Sequence, residues 1–233
     1  MRRVVSSAFM AILIVAVPAS ALAQEKKLSL NFGGGYTVSL SDVRDWLGDG
    51  YNINVGAIWH LNEKVGIQGD YSFTGLGQKR ISVPISSAPG GASVPTDLFG
   101  DMNMQYADLN LMYKPETGGR AKPYLVGGVG VYYRPITVTT PAVGYMPGFC
   151  SPWWYYCYPG GFVEVEQILG SRSSYDFGMD FGGGIDFAVS DLASLYIEAR
   201  YHYILGPTIT NPLTKTQQKA NGQFLPIIFG FRF

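Results

Sequence analysis

Charged residues are scarce in this chain: they make up 15% of its 233 residues, whereas an ordinary globular domain averages about 25%. Lysine plus arginine (17) equal aspartate plus glutamate (17), and no basic stripe is present. Because nucleic acids are bound by clustered basic side chains, we expect no nucleic-acid partner. Beyond the N-terminus the sequence also lacks long apolar runs. A bundle of membrane-spanning helices is therefore excluded, since each such helix needs about 20 apolar residues.

Motifs for catalysis and cofactor binding are lacking too. There is no phosphate-binding Gly-Lys-Ser/Thr loop, no Gly-x-Ser-x-Gly nucleophile elbow and no Cys-x-x-Cys pair. The two histidines, His60 and His202, are far apart in the sequence and do not by themselves predict a metal site. We therefore expect no cofactor, no metal and no enzymatic activity.

The N-terminus has the features of a secretory signal peptide. Arg2 and Arg3 precede an apolar run over residues 4–17, and Ala21-Leu22-Ala23 fits the small-residue cleavage rule. The run is shorter than the ~20 residues of a spanning helix, which disfavours an uncut anchor. We predict a signal peptide over residues 1–23 and a barrel domain over 24–233. Loss of the two arginines leaves 15 basic against 17 acidic residues.

Glycine (30 residues) and aromatic residues (14%) are abundant, and apolar and polar residues alternate along the chain. Alternation with period two is typical of β-strands that bury one face. Eight segments show it, each long enough to cross a bilayer as a tilted strand of ~9–11 residues. They cover residues 28–38, 51–60, 64–74, 102–113, 122–134, 174–187, 195–205 and 225–233.

Two of these segments have an ambiguous phase. In the fourth, Met102, Met104 and Tyr106 follow one phase, whereas Leu109 and its alternating successors follow the other. A β-bulge or an inward apolar patch would explain the change. In the fifth, the glycines of residues 127–130 blur the phase, so no faces are assigned.

The connections alternate between short and long. Those at 61–63, 115–121 and 190–192 are short, and those at 39–50, 75–101, 135–173 and 206–220 are long. Outer-membrane barrels have this arrangement, with short periplasmic turns and longer extracellular loops. A lipocalin-like barrel or a β-sandwich is disfavoured because the polar face, made of Gly, Asp, Asn, Ser and Thr, could not fill an apolar core. We predict an all-β, eight-stranded, antiparallel up-and-down transmembrane β-barrel in a bacterial outer membrane, in contact with its lipid and lipopolysaccharide.

Three segments resemble the superfamily of small outer-membrane barrels that includes the OmpA membrane domain and OmpX. They are residues 32–36 (FGGGY), residues 122–128 (KPYLVGG) and the terminal strand. The last strand resembles the C-terminal signal by which the outer-membrane assembly machinery recognises its clients. That resemblance implies an assembly signal made of Leu225, Ile227, Phe229, Phe231 and Phe233.

Charged residues on the polar face are expected inside the barrel. The lumen of eight strands is only wide enough to be filled by side chains, so these charges must pair. The alternative is a narrow path for cations. The predicted lumen network consists of Asp70, Asp176, Asp180, Asp186, Glu198, Arg200 and Arg232.

The longest connection contains the only two cysteines, Cys150 and Cys157. Two nearby cysteines in an oxidising compartment most simply form a disulfide. Aromatic residues between and beside them form either a surface for an extracellular ligand of unknown identity or a girdle that rests in the lipid headgroups. These are Trp153, Trp154, Tyr155, Tyr156 and Tyr158.

One stretch resembles the His-x-Ser pair of PagL-type lipid A deacylases, which are also small barrels. Here Ile204 stands two residues after His202, in the position of the nucleophilic serine. Isoleucine has no nucleophile, so a lipid-modifying enzyme is disfavoured. Of three functional classes, a structural or surface-interaction barrel is favoured over a small passive pore, because the lumen is filled, and over a lipid enzyme.

Overall fold

The computed structural model describes residues 27–41, 43–86, 93–117, 119–151, 156–190, 192–210, 215 and 217–233. The predicted signal peptide lies outside these residues. Within them, no helix is long and apolar enough to span a membrane. The elements are β1 (Leu28–Ser39), α1 (Val43–Trp46), β2 (Gly50–His60), β3 (Val65–Ser86), β4 (Ser93–Tyr113), β5 (Ala121–Met146), β6 (Phe149–Ser151), β7 (Tyr156–Tyr158), β8 (Gly161–Ala188), β9 (Ser194–Leu205), β10 (Thr208–Thr210), β11 (Gln217–Lys219) and β12 (Gly222–Arg232).

Eight of the strands form one closed antiparallel ring. Its order is β1-β2-β3-β4-β5-β8-β9-β12, and β12 returns to pair with β1. At the closure Phe32 lies opposite Phe231 and Tyr36 opposite Ile227. The predicted eight-stranded up-and-down barrel is confirmed.

The two faces of the wall have opposite polarity. Outward side chains are large and apolar; Phe32, Val129 and Phe181 are 59%, 63% and 65% exposed. Inward side chains include buried amides and charges such as Asn54 and Glu198. This is the reverse of a lipocalin-like barrel, and it fits a wall that contacts lipid on its outer side.

The fourth strand contains an inward apolar patch and no bulge over its barrel part. Its pairing with β3 continues without a shift from Val65↔Tyr113 to Leu76↔Met102. Met102, Met104 and Tyr106 therefore point inward in the same phase as the residues that follow them. On β5, where no faces were predicted, Tyr124, Val126, Tyr132 and Arg134 are the buried inward residues.

The long connections contain more strand than predicted. Much of 75–101 is paired, from Lys79↔Gly100 to Ser86↔Ser93. Much of 135–173 is paired as well, from Ile136↔Arg172 to Met146↔Gly161. These segments extend beyond the part of the barrel that lipid surrounds, so neither of their faces has to be apolar. The period-two alternation of apolar residues is therefore missing, and the sequence did not reveal these strands. The connection at 39–50 contains α1, and the one at 206–220 contains the short β10–β11 pair.

These extensions form a sheet that rises from one side of the barrel as two long hairpins, β3–β4 and β5–β8, which are joined at their base by Phe99↔Thr139 and Gly100↔Val138. We call it the protruding sheet and define it as residues 79–86, 93–100, 136–146 and 161–172. The neighbouring ring strands do not extend into the protruding sheet. β2 begins at Gly50, opposite Leu76, and β9 ends at Leu205, opposite Phe177. Residues 161–172 of β8 consequently have β5 on one side and a free edge on the other, among the described residues.

We predict that trypsin added to intact cells cuts at Lys215 and spares Lys64 and Arg120. All three residues are exposed, so only the membrane can distinguish them, and we expect the short turns on the periplasmic side. Mass spectrometry of the fragments measures this. Protein released into detergent is the control, in which all three sites should be cut. Cleavage at Lys64 in intact cells would reverse the orientation.

Candidate functional site

A single arginine on β9 organises the centre of the lumen. Arg200 is 2% exposed, and its guanidinium lies 2.6 Å from Glu198 and 2.7 Å from Asp70. Asp108 is 3.5 Å and Asp180 3.9 Å from the same group. Together with His202 these five residues form what we call the central cluster.

The strand register explains why the carboxylates converge. Asp70 on β3 lies directly opposite Asp108 on β4. Like charges in such a cross-strand position repel each other, and Arg200 from the far side of the ring contacts both. Removing the arginine would leave several buried carboxylates without a counter-charge.

Two smaller ion-paired groups lie on either side of the cluster along the barrel axis. Towards the periplasm, Arg232 contacts Asp186, and Lys114 lies 2.8 Å from the same carboxylate. Lys114 follows the last residue of β4, and burial lowers the pKa of its ammonium group while Asp186 opposes that change. Towards the outside, Arg134 lies 2.7 Å from Asp176.

All seven predicted lumen residues are thus buried and in contact with opposite charges. They form three ion-paired groups, of which the central and the periplasmic ones are linked by hydrogen bonds. Arg200 contacts Asp180 only at 3.9 Å, and it reaches Arg232 only indirectly, through Glu198 and the Tyr124 hydroxyl. The sequence analysis missed Asp108, Lys114 and Arg134. The alternation of β4 contained the signal for Asp108, since it shares the phase of Met104 and Tyr106.

Hydrogen-bonded amides line the wall formed by β1, β2 and β3. Asn31 donates to the side chains of Asn54 and Asp70, and Asn54 donates to Ser72. Gln68 donates to Asp70 at 2.8 Å. These contacts satisfy much of the polar surface that faces the lumen, as a buried polar wall requires.

Apolar layers lie on both sides of the central cluster. The outer layer includes side chains from five ring strands and from the first connection, and the inner layer from three strands. The outer layer consists of Leu47, Leu76, Met102, Met104, Tyr106, Tyr132, Ile204 and Phe224, and the inner one of Ile58, Met112, Tyr124 and Val126. The outer layer draws residues from five of the eight ring strands, so apolar side chains from most of the ring pack into the lumen at this level.

The histidine of the deacylase-like stretch lies inside the barrel. His202 is 2% exposed, and its Nδ1 is 2.8 Å from the Tyr132 hydroxyl. Ile204 is fully buried beside it in the outer apolar layer. Neither residue faces lipid, so the structure gives no support to lipid hydrolysis at this place. His60 lies near the periplasmic end, 3.0 Å from the Ser29 hydroxyl.

The predicted disulfide between Cys150 and Cys157 is present and joins the short strands β6 and β7. Trp153, Trp154 and Tyr155 lie outside the described residues. Tyr156 and Tyr158 belong to β7. Their role in binding stays a prediction.

The residues of the proposed assembly signal point outward from β12 or follow it. Phe229, Phe231 and Phe233 are 54%, 52% and 56% exposed, and Leu225 and Ile227 are half-buried. An apolar row on the last strand is what the resemblance implied. Recognition by the assembly machinery stays a prediction.

A sequence-family comparison agrees with this geometry. The model for the outer membrane protein beta-barrel domain matches residues 9–233. The chain belongs to this family. The predicted location in the bacterial outer membrane is confirmed.

Solved structures of similar proteins are also outer-membrane barrels. A major outer membrane protein from Thermus thermophilus is 10% identical, with a TM-score of 0.50 over 89% of this chain and 98% of its own. Neisserial surface protein A is 16% identical, with a TM-score of 0.45 over 88% and 96%. Ail, the attachment invasion locus protein of Yersinia pestis, is 13% identical, with a TM-score of 0.37 over 88% and 96%. A comparison with curated protein sequences found no match.

We predict that Arg200→Leu destabilises the barrel by about 3–5 kcal/mol, because it leaves buried carboxylates unpaired. The urea midpoint of the refolded protein measures this. Arg172→Leu is the matched control, since Arg172 is exposed on the protruding sheet, and it should leave the midpoint unchanged. An unchanged midpoint for Arg200→Leu would mean that the central cluster is solvated.

Proposed function

We propose that this outer-membrane barrel is a non-conducting scaffold that binds a protein partner outside the cell through the free edge of its protruding sheet. The observation that carries the proposal is the unpaired edge of β8 over residues 161–172, among the residues that the structure describes. Exposed strand edges offer unsatisfied N–H and C=O groups to which another chain can add a strand.

The β3 and β8 edges of the protruding sheet differ in how well they accept a strand. The β3 edge contains Lys79, Arg80 and Pro84, and lysine and proline are residues that block strand addition. The β8 edge has no proline and has large exposed apolar residues such as Phe162 (78%) and Ile168 (64%). A partner strand is therefore favoured on β8.

Charge adds a preference for the partner. Glu164 and Glu166 are exposed on the free edge, and opposite charges stabilise cross-strand pairs. We infer that the added strand carries lysine or arginine at the facing positions. Arg172 lies lower on β8, so the acidic character belongs to the outer part of the edge.

The disulfide-linked β6–β7 hairpin lies at the far end of the same sheet. At a rise of about 3.3 Å per residue, β5 from Ile136 to Met146 spans roughly 33 Å. That length exceeds the thickness of one headgroup layer, which is roughly 5–8 Å. It favours a surface-binding role for Trp153, Trp154, Tyr155, Tyr156 and Tyr158 over a girdle resting in lipid.

Contact with the membrane and its machinery completes the proposal. The outward apolar face of the barrel contacts outer-membrane lipid and lipopolysaccharide, as such faces do in membrane barrels. The terminal strand is the element that the assembly machinery reads. Lipid and the assembly machinery are partners of outer-membrane barrels in general. The specific role proposed for this protein therefore rests on the free edge of β8.

A small passive pore is the second candidate function, and a measurement of ion conductance distinguishes it from the non-conducting scaffold. The refolded protein in planar bilayers should show no stable open-channel current, because the apolar side chains of the outer layer pack into the lumen. A general porin treated in the same way is the positive control. Stable single-channel steps from the wild-type protein would support the pore and contradict the proposal of a non-conducting scaffold.

We predict that Val163→Lys combined with Val165→Lys abolishes adherence of cells to protein-coated surfaces, because lysine on an edge strand opposes strand addition. Ile136→Lys combined with Val138→Lys is the matched control, since it adds the same charge to β5 at positions that pair with both β4 and β8. Cells that stay attached after washing are counted, and heat-modifiable migration in gels shows that both variants are folded.

Two outcomes of this experiment would contradict the proposal. Equal adherence of the two folded variants would exclude the β8 edge as the binding surface. Adherence of wild-type cells to polysaccharide-coated surfaces alone would exclude a protein partner.

A further inference from the structure

We propose that the central cluster binds one divalent transition-metal ion of the Zn²⁺ type, held by Asp108, Asp180 and His202. This site is separate from the extracellular edge, and it does not depend on the proposed function. Each of the three side chains offers one ligand atom, and these atoms all lie within 4.8 Å of one another. Atoms that share a Zn²⁺ ion at about 2.0–2.2 Å lie at most about 4.4 Å apart, so small side-chain rotations suffice.

The ring brings the three residues together from three strands. Asp180 on β8 lies directly opposite His202 on β9. Asp108 lies on β4, with β5 between it and Asp180. At the two positions of β5 that pair with these aspartates stand Gly130 and Gly128, so no β5 side chain separates the carboxylates.

Glycine at position 130 is required for this approach. A Cβ atom there would lie 2.9 Å from the Ala107 carbonyl oxygen and 3.0 Å from Asp108 Cβ. A side chain would push the Asp108 carboxylate away. Glycine inside a strand often marks such a close approach.

The three candidate ligand residues contribute four of the buried polar atoms that lack a hydrogen bond. Among the described residues, Asp108 Oδ2, both carboxylate oxygens of Asp180 and His202 Nε2 are buried and have no hydrogen-bond partner. Asp180 and His202 are 4% and 2% exposed. Unsatisfied buried polar atoms are costly and rare in folded proteins. Ligand atoms of the same three residues lie within 4.8 Å of one another, which is the arrangement that a bound cation would satisfy.

The charge balance of the lumen points to the same place. In the central cluster four carboxylates surround the single guanidinium of Arg200. The outer pair, Arg134 with Asp176, is balanced. The periplasmic group, in which Arg232 and Lys114 contact one carboxylate, has an excess of positive charge. Uncompensated negative charge among the described lumen residues is therefore confined to the centre, where a divalent cation would offset most of it.

The imidazole has Nε2 available for an ion, because that nitrogen makes no hydrogen bond. Its other nitrogen, Nδ1, lies 2.8 Å from the Tyr132 hydroxyl; in the metal-bound form Nδ1–H donates to that oxygen and leaves the Nε2 lone pair free. Metal-binding histidines regularly have such an outer hydrogen bond. One imidazole with two carboxylates suits Zn²⁺ and its first-row neighbours, whereas Mg²⁺ and Ca²⁺ prefer oxygen ligands alone.

Metal content of the protein purified from outer membranes tests the site. We expect about one equivalent of zinc or a related metal per chain, kept through dialysis against EDTA and released on heat unfolding, because apolar layers flank the cluster. His202→Ala and Asp180→Asn should lose the metal, and His60→Ala, which changes the other histidine, should keep it. Heat-modifiable migration in gels shows which variants are folded.

Refolding supplies a measurement that does not depend on metal supply in the cell. ZnCl₂ present during refolding should raise the thermal midpoint of the wild-type protein and not that of Asp180→Asn. Tyr132→Phe keeps the ring but removes the outer hydrogen bond, and should bind Zn²⁺ about 10–100-fold more weakly.

Four results would overturn the proposal. Metal-free wild-type protein from both preparations would mean that a shared proton between Asp108 and Asp180 replaces the ion. Equal metal content in folded Asp180→Asn, or loss of metal from His60→Ala, would place any bound ion elsewhere. An equal midpoint shift with MgCl₂ would exclude the transition-metal class.

Discussion

The structure depends on one constraint: the interior of a bilayer offers no hydrogen-bond partners to a peptide backbone. A sheet can meet that constraint only by closing on itself, and the β1–β12 pairing provides the closure here. Once the ring is closed, each strand has one face towards lipid and one towards the lumen. The alternation of apolar and polar residues, the scarcity of charge and the exposed aromatic wall all follow from that geometry.

Closure with only eight strands creates a second problem inside the ring. The lumen is too narrow for a water-filled channel, so its polar residues must satisfy one another. Amides do so in part along the β1–β3 wall, and ion pairs do so near both ends. At the centre the protein's own groups do not suffice, since four carboxylates share one arginine. The apolar layers make this imbalance more costly because they lower the local dielectric on both sides of the cluster.

The parts of the fold that could be predicted from the sequence are those on which lipid acts. The barrel part of β8 and the whole of β9 alternate regularly because one face must be apolar. Asp108 was missed because the inward residues of β4 differ in polarity. Met102 and Met104 are apolar, so the inward face could not be recognised as a polar one. Contacts such as Arg200 with Asp70 join residues 130 positions apart, and only the register around the ring brings them together. The protruding strands were predicted as loops, since neither of their faces contacts lipid and no apolar period marks them.

One strand, β8, runs from the barrel wall into the protruding sheet, and its pairing register with β5 shifts in the protruding part. Within the barrel its residues alternate between lipid and lumen. In the protruding sheet Val138 pairs with Gly170 and Thr139 with Ile168, so Leu169 is an extra residue that forms a bulge. Bulges increase the local twist and interrupt an edge, and long unbroken edges promote aggregation. The bulge and the two glutamates beyond it therefore restrict which strands can pair with β8, and they protect this free edge against indiscriminate association.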